Sequence, residues 1–395
     1  MPTMSVSRFN CWNTCHRKFY WQNIIKVERP SAEGVREFGT LFHAGLEEWW
    51  AKAGDGDTPW IDKALVVALK GIAAHAQEEE SDSYEVAKAE AMMIAYHARW
   101  YLLEYTLVGE TGVEDFFNVP LLDPQGHKVD RWNLVGRKDV FIQMKDETHP
   151  MPVDHKTTGQ DISLTSDYWE KLRLDTQIST YLDAARIQGH DAHEFLYDVI
   201  QRPDVHPYRE TPMEDREYTK GKGCKSCGGS AGGKAGIVQG KGIIELGEGA
   251  KKVTQRCEVC EGSGWSKAPR LYAKHHAEDE PVQDFKQRVM DKLSQELAAE
   301  THFKQARVAR TRDQLDESRA NLVAAALEMD FVIGRAKATG DIRSAAARRC
   351  FQQAPDMCWK FGRCDYLDIC SASVDPYDSH LYQIRVPEKK AKEAK

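Results

Sequence analysis

The stretch WNLVGRKDVFIQMKDETHPMPVDHKTT, residues 132–158, decides the fold. Its two halves, WNLVGRKDVFIQM (132–144) and PVDHKTT (152–158), are short, β-rich runs bounded by turn residues, and the polar loop KDETHP lies between them. That pattern predicts an antiparallel hairpin. Opposed residue numbers in such a pair sum to a constant, so a turn centred between Asp146 and Glu147 sets Asp139 opposite Asp154. Lys156 shares the face of Asp154, because strand side chains alternate with period two. Like charges opposed on a sheet are destabilising, which calls for a compensating cation. Carboxylates suit a hard ion, Mg²⁺ or Mn²⁺. The bland alternative is that both acids are solvated on a wet sheet edge.

Outward from the hairpin, VEDFFNVPLL (113–122) supplies a third strand. A helix is expected over about 165–188, ended by Gly189, and then the strand EFLYDVIQRP. The class is α/β, in the order helix, three-strand meander, helix, strand. Residues 36–53 and roughly 60–109 read as helices, which gives a helical N-terminal region. Between 204 and 270 the composition shifts to Gly and Lys, the mark of an insertion. A helix over 281–299, the strand HFKQARVAR (302–310) and a helix over 313–337 complete the core before a cysteine-rich end. The expected division is 1–203 and 271–372 for the core, 204–270 for the insertion and 373–395 for a tail. The end of that tail, EKKAKEAK, lacks apolar residues and is expected to be disordered.

GRKD at 136–139, DHK at 154–156, QISTY at 177–181 and FGTLFHAGLEEW with His43 occur in an order that resembles the RecB/AddB-like branch of the PD-(D/E)xK nucleases, which includes the CRISPR-adaptation nucleases. The resemblance implies a restriction-endonuclease-like core and a metal-dependent DNA nuclease, an exonuclease by expectation, that leaves 5′-phosphate and 3′-hydroxyl ends. It implies that Asp139, Asp154 and His43, with the carbonyl of His155, hold Mg²⁺ or Mn²⁺, and that Lys156 orients the attacking water. Gln177 and Tyr181, four apart on one helix face, are then expected to support catalysis and contact DNA. Glu114 resembles an accessory acid of some members and reads equally well as a surface residue.

Cys358, Cys364 and Cys370 are equally spaced and one short of a four-cysteine site. CHRKFY at 15–20 resembles the CPRxFY element of iron–sulfur members of that branch, which implies that Cys15 completes a 4Fe-4S site; zinc is the alternative metal, and Cys11 competes with Cys15. In the insertion, CKSC (Cys224, Cys227) and CEVC (Cys257, Cys260) form two close pairs that suit tetrahedral Zn²⁺, and CEVCEGSG resembles the zinc repeat of DnaJ chaperones. Ten cysteines in a chain with no signal-peptide stretch are expected to serve metals in the cytoplasm rather than disulfides.

A net charge of −7 argues against non-specific coating of nucleic acid but leaves room for a local groove. Lys304, Arg307 and Arg310 are the candidates for contact with DNA, either single-stranded or with free ends. No Walker A sequence is present, so unwinding falls to a partner such as a helicase or recombination protein, and no membrane partner is expected. The competing class is an inert DNA-binding scaffold whose metals are structural.

Overall fold

A computed structural model describes residues 2–29, 37–53, 60–230, 239–246, 253–296, 301–360, 362–376 and 381–385. The segment EKKAKEAK lies outside the described residues. The chain starts with β1 (Thr3–Met4), α1 (Val6–Thr14) and α2 (His16–Phe19), then a wide turn over Tyr20–Ile25 and β2 (Val27–Glu28). Helices α3 (Glu37–Ala53), α4 (Trp60–Glu78) and α5 (Ser83–Trp100) precede β3 (Tyr105–Leu107), β4 (Val113–Leu122), β5 (Lys128–Met144) and β6 (Met151–Thr158). After α6 (Thr176–Ile187) and β7 (Glu194–Gln201) come the short strands β8 (Lys222–Gly223), β9 (Ile243–Leu246), β10 (Val253–Arg256) and β11 (Trp265–Lys267). Then follow α7 (Val282–Glu296), β12 (Phe303–Ala309), α8 (Arg312–Lys337), α9 (Ala345–Arg349), α10 (Met357–Lys360), α11 (Leu367–Cys370) and β13 (Gln383–Ile384).

The architecture is α/β, and the meander β4–β5–β6 followed by α6 and β7 has the expected order. The sheet runs β1-β5-β6-β7-β12, with β3 and β4 also on β5. Val140 pairs with Val113 of β4 and with Val153 of β6, so those two strands take opposite edges of β5. β6 and β7 are parallel, joined by the α6 crossover. One sheet face packs Phe117, Tyr181, Phe195 and Met329 into a core with Trp12 and Phe19. On the opposite face Trp50 of α3 lies against His155, ring centroids 5.4 Å apart. No described helix is long and apolar enough to cross a membrane.

Three expectations change. The helical reading of 60–109 stops at Trp100, and Tyr105–Leu107 becomes β3, pairing with Ile142–Met144 at the end of the long β5. Aromatic and β-branched residues fit that edge, and the Tyr105 hydroxyl donates to the Trp50 carbonyl at 3.0 Å. The helix expected from 165 begins at Thr176, because the Asp175 side chain caps it by accepting the Gln177 N–H, and a 3-10 turn fills Glu170–Leu174. Val205–Gln287 forms one compact unit, while Met1–Asp204 with Arg288–Lys395 forms the other, a boundary later than residue 270. Residues 270–280 remain hydrogen-bonded to 208–219, as in Thr211 N–H to His276 O and Thr219 N–H to Arg270 O.

Candidate active site and metal centres

The β5–β6 ladder pairs Ile142 with Met151, Phe141 with Pro152 and Val140 with Val153, and there it stops. These pairs carry the register in which Asp139 opposes Asp154. At that point the strands part, and the His155 N–H that would have met a β5 carbonyl donates instead to Asp139 Oδ2 at 2.8 Å. The acids therefore sit where the sheet opens.

Asp154 is buried, with Gln177 of α6 donating to its Oδ1 at 2.5 Å. The Lys156 ammonium lies 2.6 Å from Oδ2, yet that buried oxygen has no well-directed hydrogen bond. His43 of α3 brings Nδ1 to 4.0 Å from Asp139 Oδ2. Burial, and then the charge of Asp154, push the Asp139 carboxyl up to about 6. Burial likewise raises Asp154. Burial, with His155 and Lys156 nearby, lowers His43 to about 4, which leaves a neutral imidazole with a free lone pair. On Lys156, burial acts downward but Asp154 outweighs it, so the ammonium persists. Two crowded carboxylates, an under-satisfied oxygen and a neutral imidazole fit the donor set of a hard divalent ion.

The charge on Asp139 opposes folding wherever it is ionised in the folded state. In Mg²⁺-free buffer Asp139→Asn should therefore melt higher than the parent above pH 6, by about 1–2 kcal/mol after allowing for partial exposure. The gain should shrink as pH falls from 6 towards 4, because the folded parent is protonated there and the unfolded chain approaches its own, lower titration. Thermal melts from pH 4.5 to 8 check this; a variant less stable at every pH would contradict the crowding.

His155 turns its side chain to the other face. Its Nδ1 is 2.8 Å from Asp198 Oδ2, which also accepts from the Tyr96 hydroxyl at 2.7 Å, and Trp50 Nε1 donates to that hydroxyl at 3.1 Å. The sequence reading missed Asp198 and Tyr96. The available signal was a single acid inside the apolar strand EFLYDVIQ. It also missed the buried ion pair of Lys138 Nζ with Asp115 Oδ2, 2.7 Å apart beneath the β4–β5 face.

Tyr181 is buried with its ring packed on Phe117, and burial, followed by the charges of Asp154 and Asp139, raises its hydroxyl. A Cβ on Gly136 would meet Phe117 Cζ at 2.4 Å, so glycine is what lets these rings approach β5. Arg310 is a correction: it is buried and donates to Ser179 Oγ at 3.0 Å and to the carbonyls of Leu172 and Asp175 at 2.6 and 3.3 Å. It holds the start of α6 and has no free face for a phosphate. Arg307 is ion-paired to Glu147 at 2.5 Å and Glu194 at 3.5 Å, at the hairpin end away from the acids. Lys304 on β12 is half-buried. Glu114 pairs with Arg137 at 2.9 Å on the surface.

At the chain ends, Cys15 caps the start of α2 with Sγ 3.9 Å from the Gln352 carbonyl. The Cys364 N–H donates to Cys358 O at 2.9 Å, and Cys370 ends α11. Burial pushes the Cys370 thiol up to about 11 and raises the Cys358 thiol as well. No three of the Cys15, Cys358, Cys364 and Cys370 sulfurs lie within 4.8 Å of one another. Cys11 is buried, with Gln22 and Asn23 at its sulfur. In the other unit Cys224, Cys227, Cys257 and Cys260 are buried, and their sulfurs lie within 4.8 Å of one another. Cys224 is 3.9 Å from Cys257 and Cys227 is 3.8 Å from Cys260, a spacing suited to one tetrahedral ion. A Cβ on Gly240 would come within 2.5 Å of Cys227 Sγ, so the loop closes tightly over the sulfurs. The antiparallel β9–β10 pair occupies part of the Gly-rich stretch between the two CxxC pairs.

No curated protein matches the chain. A family model, that of the PD-(D/E)XK nuclease superfamily, matches residues 3–371.

Proposed function

We propose, from the premise that this chain belongs to the PD-(D/E)XK nuclease superfamily, that it is a deoxyribonuclease working from free ends or on single strands. The observation that carries this reading is the meeting of Asp139, Asp154, Lys156 and Gln177 where β5 and β6 part. Asp139, Asp154 and His43, with the His155 carbonyl, would hold Mg²⁺ or Mn²⁺. When bound, such an ion polarises the scissile phosphate and makes a bound water acidic enough to attack. Lys156, kept charged beside Asp154, places its ammonium where negative charge grows on the phosphate. Gln177 fixes the Asp154 carboxylate through Oδ1, and Oδ2, beside the Lys156 ammonium, is the oxygen that would be offered to the ion. The Asp198–Tyr96 pair holds His155, and with it the backbone between the two catalytic residues of β6. Lys171, exposed on the turn before α6 and within the field of Lys156, extends the positive surface along which a strand would lie.

The terminal thiols Cys15, Cys358, Cys364 and Cys370 would hold a 4Fe-4S cluster and the insertion a structural Zn²⁺. The pathway would be recombination, replication or repair, beside a helicase or recombination protein that opens the duplex.

End-labelled single- and double-stranded DNA, with a circular single strand as control, tests the reading. The expected result is cleavage with Mg²⁺ or Mn²⁺, none with EDTA, and survival of the circle. DNA binding without cleavage under every divalent ion would favour the inert scaffold. Cleavage of the circle would make the enzyme an endonuclease.

A further inference from the structure

At the opposite end of the β5–β6 hairpin from the acids, three side chains with no role in the chemistry above converge. His149 Nδ1 is 3.1 Å from Asp191 Oδ2, and His193 Nε2 is 2.9 Å from Asp191 Oδ1. The two imidazoles meet edge to face with centroids 4.5 Å apart. One ligand atom from each of the three lies within 4.8 Å of the others. Ligands about 2.0–2.1 Å from a tetrahedral ion stand roughly 3.3 Å apart, the scale of the two histidine–aspartate distances, which run to the two different Asp191 oxygens. His149 and His193 line a cavity of about 620 Å³ that also includes Glu147, Glu194 and Arg307.

We propose that His149, Asp191 and His193 form a further metal site, for a borderline divalent ion such as Zn²⁺, separate from the catalytic acids and from both cysteine sets. The donor chemistry selects the ion: two imidazoles to one carboxylate suit zinc and its neighbours, whereas Mg²⁺ is favoured where oxygens predominate, as at Asp139 and Asp154. Exposure argues the same way. The three side chains are 49, 70 and 51% accessible, and exposed His–Asp pairs gain little by themselves while losing rotamer freedom when held together. An ion that replaces the shared protons gives the convergence a reason. Three protein ligands leave a position for water.

The site's place in the fold gives it a task. His149 lies just before β6, and Asp191 and His193 lie just before β7, the parallel neighbour of β6. An ion there staples the starts of two strands across the α6 crossover. β6 carries Asp154 and Lys156, and α6 carries Gln177, so the staple stiffens the frame behind the acids.

The test uses the full-length protein in excess Mg²⁺, titrated with Zn²⁺ alone and then gel-filtered for metal analysis. The parent should retain one equivalent of zinc more than His193→Ala or the isosteric Asp191→Asn. Its melting temperature should rise with zinc by an increment both variants lack. Circular dichroism checks that the variants are folded, and Mg²⁺-supported activity should be the same in all three before zinc is added. Equal zinc content and equal melting shifts in parent and variants would overturn the site. The other metal centres are common to all three proteins, so they cancel in the comparison.

Discussion

Asp154→Ala should lower single-turnover cleavage by at least about 10³-fold and leave DNA binding, measured by anisotropy without a divalent ion, within a few-fold of the parent. Asp154 is the carboxylate to which the site is tied: Gln177 holds one oxygen and Lys156 faces the other. Removing it takes away a metal ligand and frees the ammonium from its counter-charge. Lys156→Ala should cost roughly 10²–10³-fold, the size expected when one charged donor to a growing oxyanion is lost. Because the Lys156 side chain is partly exposed, that variant should keep the parent's melting temperature within a few degrees. Activity of Asp154→Ala within tenfold of the parent would remove this residue from the reaction.

The second large effect separates the two cysteine systems. Cys364→Ser should release iron, lower the melting temperature of the nuclease unit by many degrees and abolish cleavage, because ligation contributes directly to folding. Cys364 stands in a segment whose Tyr366 hydroxyl reaches the Val27 carbonyl at 3.0 Å, so its loosening frees the N-terminal helices as well. Cys257→Ser should release zinc and spare cleavage of short oligonucleotides, since its four ligands lie within Val205–Gln287. Iron and zinc analysis of both variants, alongside calorimetry, reads the outcome. Loss of both metals from one substitution, or zinc alone in the parent, would contradict a cluster at the chain ends.

The hairpin was legible because its register depends only on a turn centre and on period-two alternation: Asp139 opposite Asp154 follows from Val140↔Val153. His43 and Gln177 were legible through motif order, and the CxxC pairs through spacing. Other features needed the third dimension. Arg310 looks like any basic residue after a strand, and only the fold shows that Leu172, Asp175 and Ser179 take its donors. β3 is three residues after a long helix, too short for periodicity to register, and it exists because β5 is longer than β4 on that edge. The Asp198–Tyr96 pair joins residues 102 apart, and no local pattern announces such a contact. Nor does spacing bring His149 to Asp191.

The closure of the chain on itself has a consequence for its birth on the ribosome. Arg17 donates to the Phe351 carbonyl at 3.0 Å across 334 residues, and β2 pairs with β13 near the other end of the sequence. At roughly 5–20 residues per second, the first helices wait about 20–70 s for the segment that fixes them. During that interval the Cys15 thiol has no distal cysteine beside it. A cluster bridging Cys15 to the distal cysteines, as proposed, could be inserted only after Cys370 has been synthesised, and a nascent chain that stalls before residue 358 would be neither clamped nor metallated there. On that proposal, maturation of the site would be timed by the length of chain between Cys15 and Cys370 rather than by the supply of metal.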